Sequence, residues 1–126
     1  MADFKFNSQK RPAGFPHHFD AHIYFQHTEQ NEIESLREYL LSVFENRSSD
    51  VFVGDVIPRE AGPHPLPMLE LNFSRALFTD VVLFLMDHRK QLNVLVHPNT
   101  GNDIYDHTQG AMWLGKSLQL KMDKLT

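Results

Sequence analysis

Four stretches in which apolar and polar residues alternate are separated by two stretches of helical spacing, one after the first and one after the third. That succession admits few folds. Phe19, Ala21, Ile23 and Phe25 alternate with Asp20, His22, Tyr24 and Gln26, the period-two pattern of a half-buried strand. Asn31 and Glu34 resemble a capping box, and Ile33, Leu36, Leu40, Val43 and Phe44 follow at the spacing of an amphipathic helix that ends near Asn46 to Ser49. Val51 to Ile57 reads as a second strand, weakened by Gly54 and ended by Pro58, with its facing left open. In the third strand Leu69, Leu71 and Phe73 alternate with Met68, Glu70 and Asn72. Ser74 is placed to cap a second helix with the stripe Leu77, Phe78, Val81, Val82 and Leu85, and His88, Arg89 and Lys90 suit the negative end of its dipole. Leu92, Val94 and Val96 form the fourth strand, which stops at Pro98.

The order β-α-β-β-α-β predicts an α+β, ferredoxin-like βαββαβ sandwich with an antiparallel sheet in spatial order 4-1-3-2 and a C-terminal extension. A single domain over residues 1–126 is expected, with 1–18 as an irregular lead-in and 98–126 as the extension. The extension reads as a turn from Pro98 to Asn102, a short helical stretch around Asp106 to Trp113, and strand-like alternation at Leu118, Leu120 and Met122.

Composition removes whole classes of function. With 12 Lys and Arg against 16 Asp and Glu, the chain lacks the basic stripe that nucleic acid demands. No cysteine is present, so disulfides, thiolate nucleophiles and Cys-based metal sites are excluded, and any metal chemistry falls to His, Asp and Glu. No apolar stretch is long enough to span a bilayer or to serve as a signal sequence, so no membrane partner is expected and the location read from the sequence is cytoplasmic. Phosphate-cradling glycine loops and serine-nucleophile motifs are missing as well.

Eight histidines stand out. In the expected topology the first strand lies beside the third and fourth, and His22, Glu70, Asn72 and His97 share the face that the two helices leave uncovered. Two imidazoles and a carboxylate are the donor types of a facial triad for non-haem Fe(II), which leaves positions open for a catechol and dioxygen. His22, His97 and Glu70 are therefore the candidate metal ligands, and His64, in the rigid Gly62-Pro63-His64-Pro65 connection, is the alternative third ligand. Each of these residues also suits an ordinary polar-face role, and spacing alone favours that role. His107 is a candidate for proton movement or for holding a ligand in place. Tyr24 is a candidate substrate-orienting group and Asn72 another, while Trp113 is read as a pocket wall or a packing anchor.

These residues also carry a resemblance. Asp20-Ala21-His22-Ile23-Tyr24-Phe25, Gly62-Pro63-His64-Pro65 with Met68 and Glu70, and above all Leu95-Val96-His97-Pro98-Asn99-Thr100-Gly101 leading to Asp106-His107 and Trp113-Leu114-Gly115, resemble the DOPA 4,5-dioxygenase family of small fungal and bacterial proteins. The plant DOPA dioxygenases, with their H-P-x-x-D pattern, are a different class, since Gly101 stands where their Asp would fall. The resemblance implies extradiol cleavage of L-DOPA or a related catechol with dioxygen, using non-haem Fe(II). It draws attention to His22, His64, His97 and His107. The resulting expectation is an Fe(II)-dependent extradiol dioxygenase with metal ligands His22, Glu70 and His97, acid/base or substrate-orienting groups His64 and His107, and substrate contacts from Tyr24 and Asn72. A homodimer is expected to close the bare sheet face. The rival expectation is a non-catalytic dimeric module that holds a small aromatic ligand, a protein partner or zinc.

Overall fold

The computed structural model describes residues 11–125. The first ten residues of the expected lead-in lie outside that range, and 11–18 form irregular chain. Eight elements follow: β1 (Phe19–Tyr24), α1 (Gln30–Val43), β2 (Val51–Ile57), β3 (Met68–Phe73), α2 (Phe78–His88), β4 (Val94–Pro98), α3 (Asp103–Asp106) and β5 (Met112–Leu114). They build one five-stranded sheet in the order β2-β3-β1-β4-β5, antiparallel throughout. The first four strands are the expected α+β, ferredoxin-like arrangement. The fifth strand is formed by Met112–Leu114 against β4, not by Leu118 to Met122, and the short helix precedes the expected stretch at Asp103–Asp106. The longer alternation at 118–122 packs as irregular chain, because its apolar side chains have a surface to cover rather than an edge to extend.

One sheet face carries Ala21, Ile23, Leu69, Leu71, Phe73, Val94 and Val96 against Ile33, Leu36 and Leu40 of α1 and Val81 and Leu85 of α2. This is the helix-covered core, and burying each of these side chains other than Ala21 contributes roughly 1.5–3 kcal/mol. The open facing of β2 has a physical cause. A register shift between Val53 and Val56 places an irregularity at Gly54 and Asp55, so Val51, Val53 and Val56 pack on the helix side while Ile57 turns to the other face.

Both helix starts depart from expectation. Before α1, a 3-10 turn spans His27–Glu29, and the Glu29 carboxylate accepts from the Gln26 amide at 2.8 Å, so the chain is capped five residues ahead of Asn31. Ser74 spends its hydroxyl on Asp50 at 2.8 Å rather than on a helix amide, and the Arg75 amide donates to His18 Nδ1 instead. His18 is thus a cap.

The second sheet face is not bare. Tyr24, Met68 and Leu95 form a second buried cluster with Ile57, Ala61 and Leu120, sided by Leu66, Ala111, Trp113 and Leu118. The Lys121 amide donates to the Pro63 carbonyl at 2.8 Å and ties the extension to the loop over the sheet. The expectation of an uncovered face therefore fails: the chain's own extension does the covering assigned to a second copy. Gly115, with φ of +87°, lets the chain leave β5, and a Cβ there would meet Asn93 Oδ1 at 2.5 Å. Gly115→Ala is expected to destabilise the fold by about 1–3 kcal/mol, read as a lowered urea midpoint at unchanged slope.

Candidate metal centre

Antiparallel pairing sets the site. His22 lies opposite Glu70 on β3 and Leu95 on β4, while Asp20 lies opposite Asn72 and His97. Period two then sends Asp20, His22, Tyr24, Glu70, Asn72 and His97 to the same face. All six are buried, and so is His64, which reaches them from the loop between β2 and β3. His107 arrives from the end of α3. That helix is held by the Asp106 carboxylate, which accepts from the Thr100 amide at 3.0 Å and its hydroxyl at 2.6 Å.

The imidazoles converge. His22 Nε2 and His97 Nε2 are 3.0 Å apart, and one ring nitrogen each of His22, His97 and His107 lies within 4.8 Å of the others. Nitrogens held at about 2.1 Å from one ion have mutual separations of this order. The tautomers suit the same purpose. His97 Nδ1 donates to the Pro98 carbonyl at 2.8 Å and His107 Nδ1 to the Asp103 carbonyl at 2.7 Å. Since a carbonyl can only accept, each neutral ring keeps the Nε2 lone pair available, the arrangement usual for histidines that bind metal.

Asp20 stands at the edge of this set, with Oδ2 3.9 Å from His22 Nε2 and 3.7 Å from His97 Nε2. Its Oδ1 accepts from His17, from Asn72 Nδ2 at 2.8 Å and from Asn99 Nδ2 at 3.1 Å. Burial works against its charge, but the His17 hydrogen bond and the neighbouring imidazoles prevail and hold its carboxyl below the usual range. Glu70 behaves oppositely. Burial, reinforced by the Asp20 charge, pushes it up to about 8. Glu70 Oε2 accepts from Asn72 at 2.8 Å, whereas Oε1 is buried without a hydrogen-bond partner among the described residues. Burial followed by the other imidazoles pushes His22 well below the ordinary histidine value and brings His64 down to about 3; burial also lowers His97. The rings are neutral at physiological pH, as ligands must be.

The structure thus brings His22 and His97 together as the sequence suggests, and adds His107 to them. Glu70 falls in a second group with His17 and Asp20. Three donors converge on Asp20 Oδ1 in that group, and Arg11 reaches Asn72 Oδ1 at 2.9 Å. The Asn72 amide is engaged by Asp20, Glu70 and Arg11. Tyr24 is buried, with its hydroxyl 2.7 Å from His64 Nδ1 and its ring 6.0 Å from Trp113. Asp20 was not singled out from the sequence, although its parity with His22 is the signal that finds it.

A family model for the Dopa 4,5-dioxygenase family matches residues 19–124. The chain belongs to the Dopa 4,5-dioxygenase family. A DOPA 4,5-dioxygenase of Amanita muscaria is 31% identical over 108 residues, covering 82% of this chain and 47% of that protein. An uncharacterized 21.2 kDa protein of Botryotinia fuckeliana is also 31% identical, over 112 residues, covering 82% of this chain and 61% of its own length. The chain spans about half to three-fifths of these relatives. A crystal structure from Nostoc punctiforme, described as a "putative dioxygenase", shares 33% identity at a TM-score of 0.78, covering 91% of this chain and 96% of that one. Among the described residues of this family member, no helix is long and apolar enough to cross a membrane.

Proposed function

We propose that the chain is an Fe(II)-dependent ring-cleaving dioxygenase acting on L-DOPA or a related catechol, with His22, His97 and His107 as imidazole ligands and Asp20 Oδ2 as the adjoining carboxylate. The observation that carries this reading is the convergence of one ring nitrogen each from three histidines within 4.8 Å on a buried face of a dioxygenase-family fold. Fe(II) bound there would supply a common point of attachment for the two catechol oxygens and dioxygen.

The chain's own residues do the rest. Neutral imidazoles add no charge, so Asp20 provides the anion that balances a divalent ion, and His17, Asn72 and Asn99 keep its carboxylate fixed. Trp113, stacked at 22° on Tyr24, supplies aromatic surface to a planar substrate. Met68, Leu95 and Leu120 exclude water from the same face, which strengthens every charge interaction within it. Glu70, neutral below about pH 8, adds no second negative charge beside Asp20.

The test is anaerobic reconstitution with Fe(II), followed by oxygen and a panel of catechols. One dioxygen consumed per catechol, with a coloured ring-opened semialdehyde, is the expected result. Full iron occupancy without oxygen uptake on any catechol would reject the oxygenase and favour a metal-holding binding module.

A further inference from the structure

His64 lies among the histidines, its ring 4.0 Å from that of His22 and 6.0 Å from that of His107, yet its hydrogen bonding differs from theirs. His97 and His107 present Nδ1 to a carbonyl, which must accept. His64 presents Nδ1 to the Tyr24 hydroxyl, which can donate or accept. We propose that Tyr24 locks His64 in the tautomer that carries its proton on Nε2, so that His64 serves as a hydrogen-bond donor to an anionic substrate oxygen and not as a fourth imidazole ligand. The substrate in that statement rests on the function proposed above; the tautomer does not.

The direction of the bond follows from the phenol. Tyr24 is 2% exposed, and His64 Nδ1 is the only hydrogen-bond partner of its hydroxyl among the described residues. Were His64 to donate from Nδ1, the buried Tyr24 proton would be left without an acceptor, which costs about 1–3 kcal/mol. Donation by Tyr24 satisfies both atoms and leaves Nδ1 without a proton. A neutral imidazole then carries its proton on Nε2. Such a nitrogen has no lone pair to offer a metal, which separates His64 from His97 and His107 on hydrogen bonding alone.

If His64 released its Nε2 proton and took the phenolic one at Nδ1, a phenolate would be stranded inside the second core cluster. The dyad therefore stabilises a developing oxyanion by a fixed N–H, the form of assistance that needs no reorganisation at the moment of reaction. Tyr24 is a positioning residue that acts through His64.

Nitrogen-15 spectra of the metal-free and Zn(II)-loaded protein read the tautomer directly. His64 is expected to show a protonated Nε2 and an unprotonated Nδ1 in both. Tyr24→Phe, which deletes one oxygen, is expected to shift His64 to a mixture of tautomers, with Zn(II) affinity unchanged and, in the Fe(II)-loaded enzyme, kcat reduced about tenfold or more at little change in KM. His64→Ala should likewise retain Zn(II) affinity. A protonated Nδ1 in the parent protein, an unaltered spectrum in Tyr24→Phe, or loss of Zn(II) from His64→Ala as severe as from His22→Ala would overturn the proposal. Absence of oxygen uptake would sink the oxygenase reading while leaving the tautomer result standing.

Discussion

His22→Ala and His97→Ala are each expected to weaken Fe(II) binding more than about 100-fold, beyond the loss that follows removal of a group merely supporting a ligand. The two Nε2 atoms, 3.0 Å apart, are the closest pair in the set and come from neighbouring strands at the centre of the sheet, so neither can be replaced by a shift of the other. The metal-free fold is expected to persist, because both side chains lie on the polar part of the second face and the helix-covered core does not involve them. His107→Ala should lose less, since Asp20 Oδ2 remains beside the pair. Glu70→Gln should leave affinity nearly unchanged, as its carboxyl is already held neutral. Equilibrium titration under anaerobic conditions, with circular dichroism to confirm folding, ranks the four variants. An affinity loss in Glu70→Gln equal to that in His22→Ala would return Glu70 to the ligand set.

Acidification is the second large effect. His22, His64 and His97 have folded-state pKa values below the ordinary 6.5, so below that pH the unfolded chain binds protons that the folded chain refuses, and stability falls as pH falls. Glu70 works the other way. Its folded pKa of about 8 stands above the ordinary 4.5, so between those values the folded chain holds a proton the unfolded chain lacks, and acidification favours the fold by one proton. The three histidines outnumber the one carboxyl, so unfolding takes up protons on balance between pH 6 and 5 and stability is lost over that interval. Urea midpoints of the metal-free protein across this interval measure it. Added Zn(II) should move the loss to lower pH, because the ion competes with protons for the same nitrogens. A flat profile between pH 6 and 5 would contradict the buried neutral histidines.

Much of this architecture was legible in alternation. Phe19 to Tyr24, Met68 to Phe73 and Val94 to Pro98 sort their side chains by parity, and that alone places His22, Glu70, Asn72 and His97 on one face. The β2 facing was not legible, because the irregularity at Gly54 and Asp55 reverses parity midway and no periodicity spans it. The cover over the second face was also hidden: Leu118 and Leu120 alternate as a strand would, but are selected by the surface formed by Tyr24, Met68 and Leu95, whose shape exists only after folding.

The candidate centre divides along the same line. His22 and His97 come from strands whose register the sequence implies. His107 comes from a turn set by Gly101, with φ of +97°, and by the Asp106 carboxylate on Thr100, and neither feature reveals by spacing where the next residue will reach. Glu70 is opposite His22 in register, yet Asn72 draws its carboxyl toward Asp20, a competition among polar groups that parity does not encode.

The position of the ion tests the account most directly. In crystals grown anaerobically with Fe(II), anomalous scattering recorded at the iron edge should give one strong peak per chain, within about 2.0–2.3 Å of the Nε2 atoms of His22, His97 and His107. A peak beside His17 and Glu70 instead, or none near the three imidazoles at full iron occupancy, would contradict it.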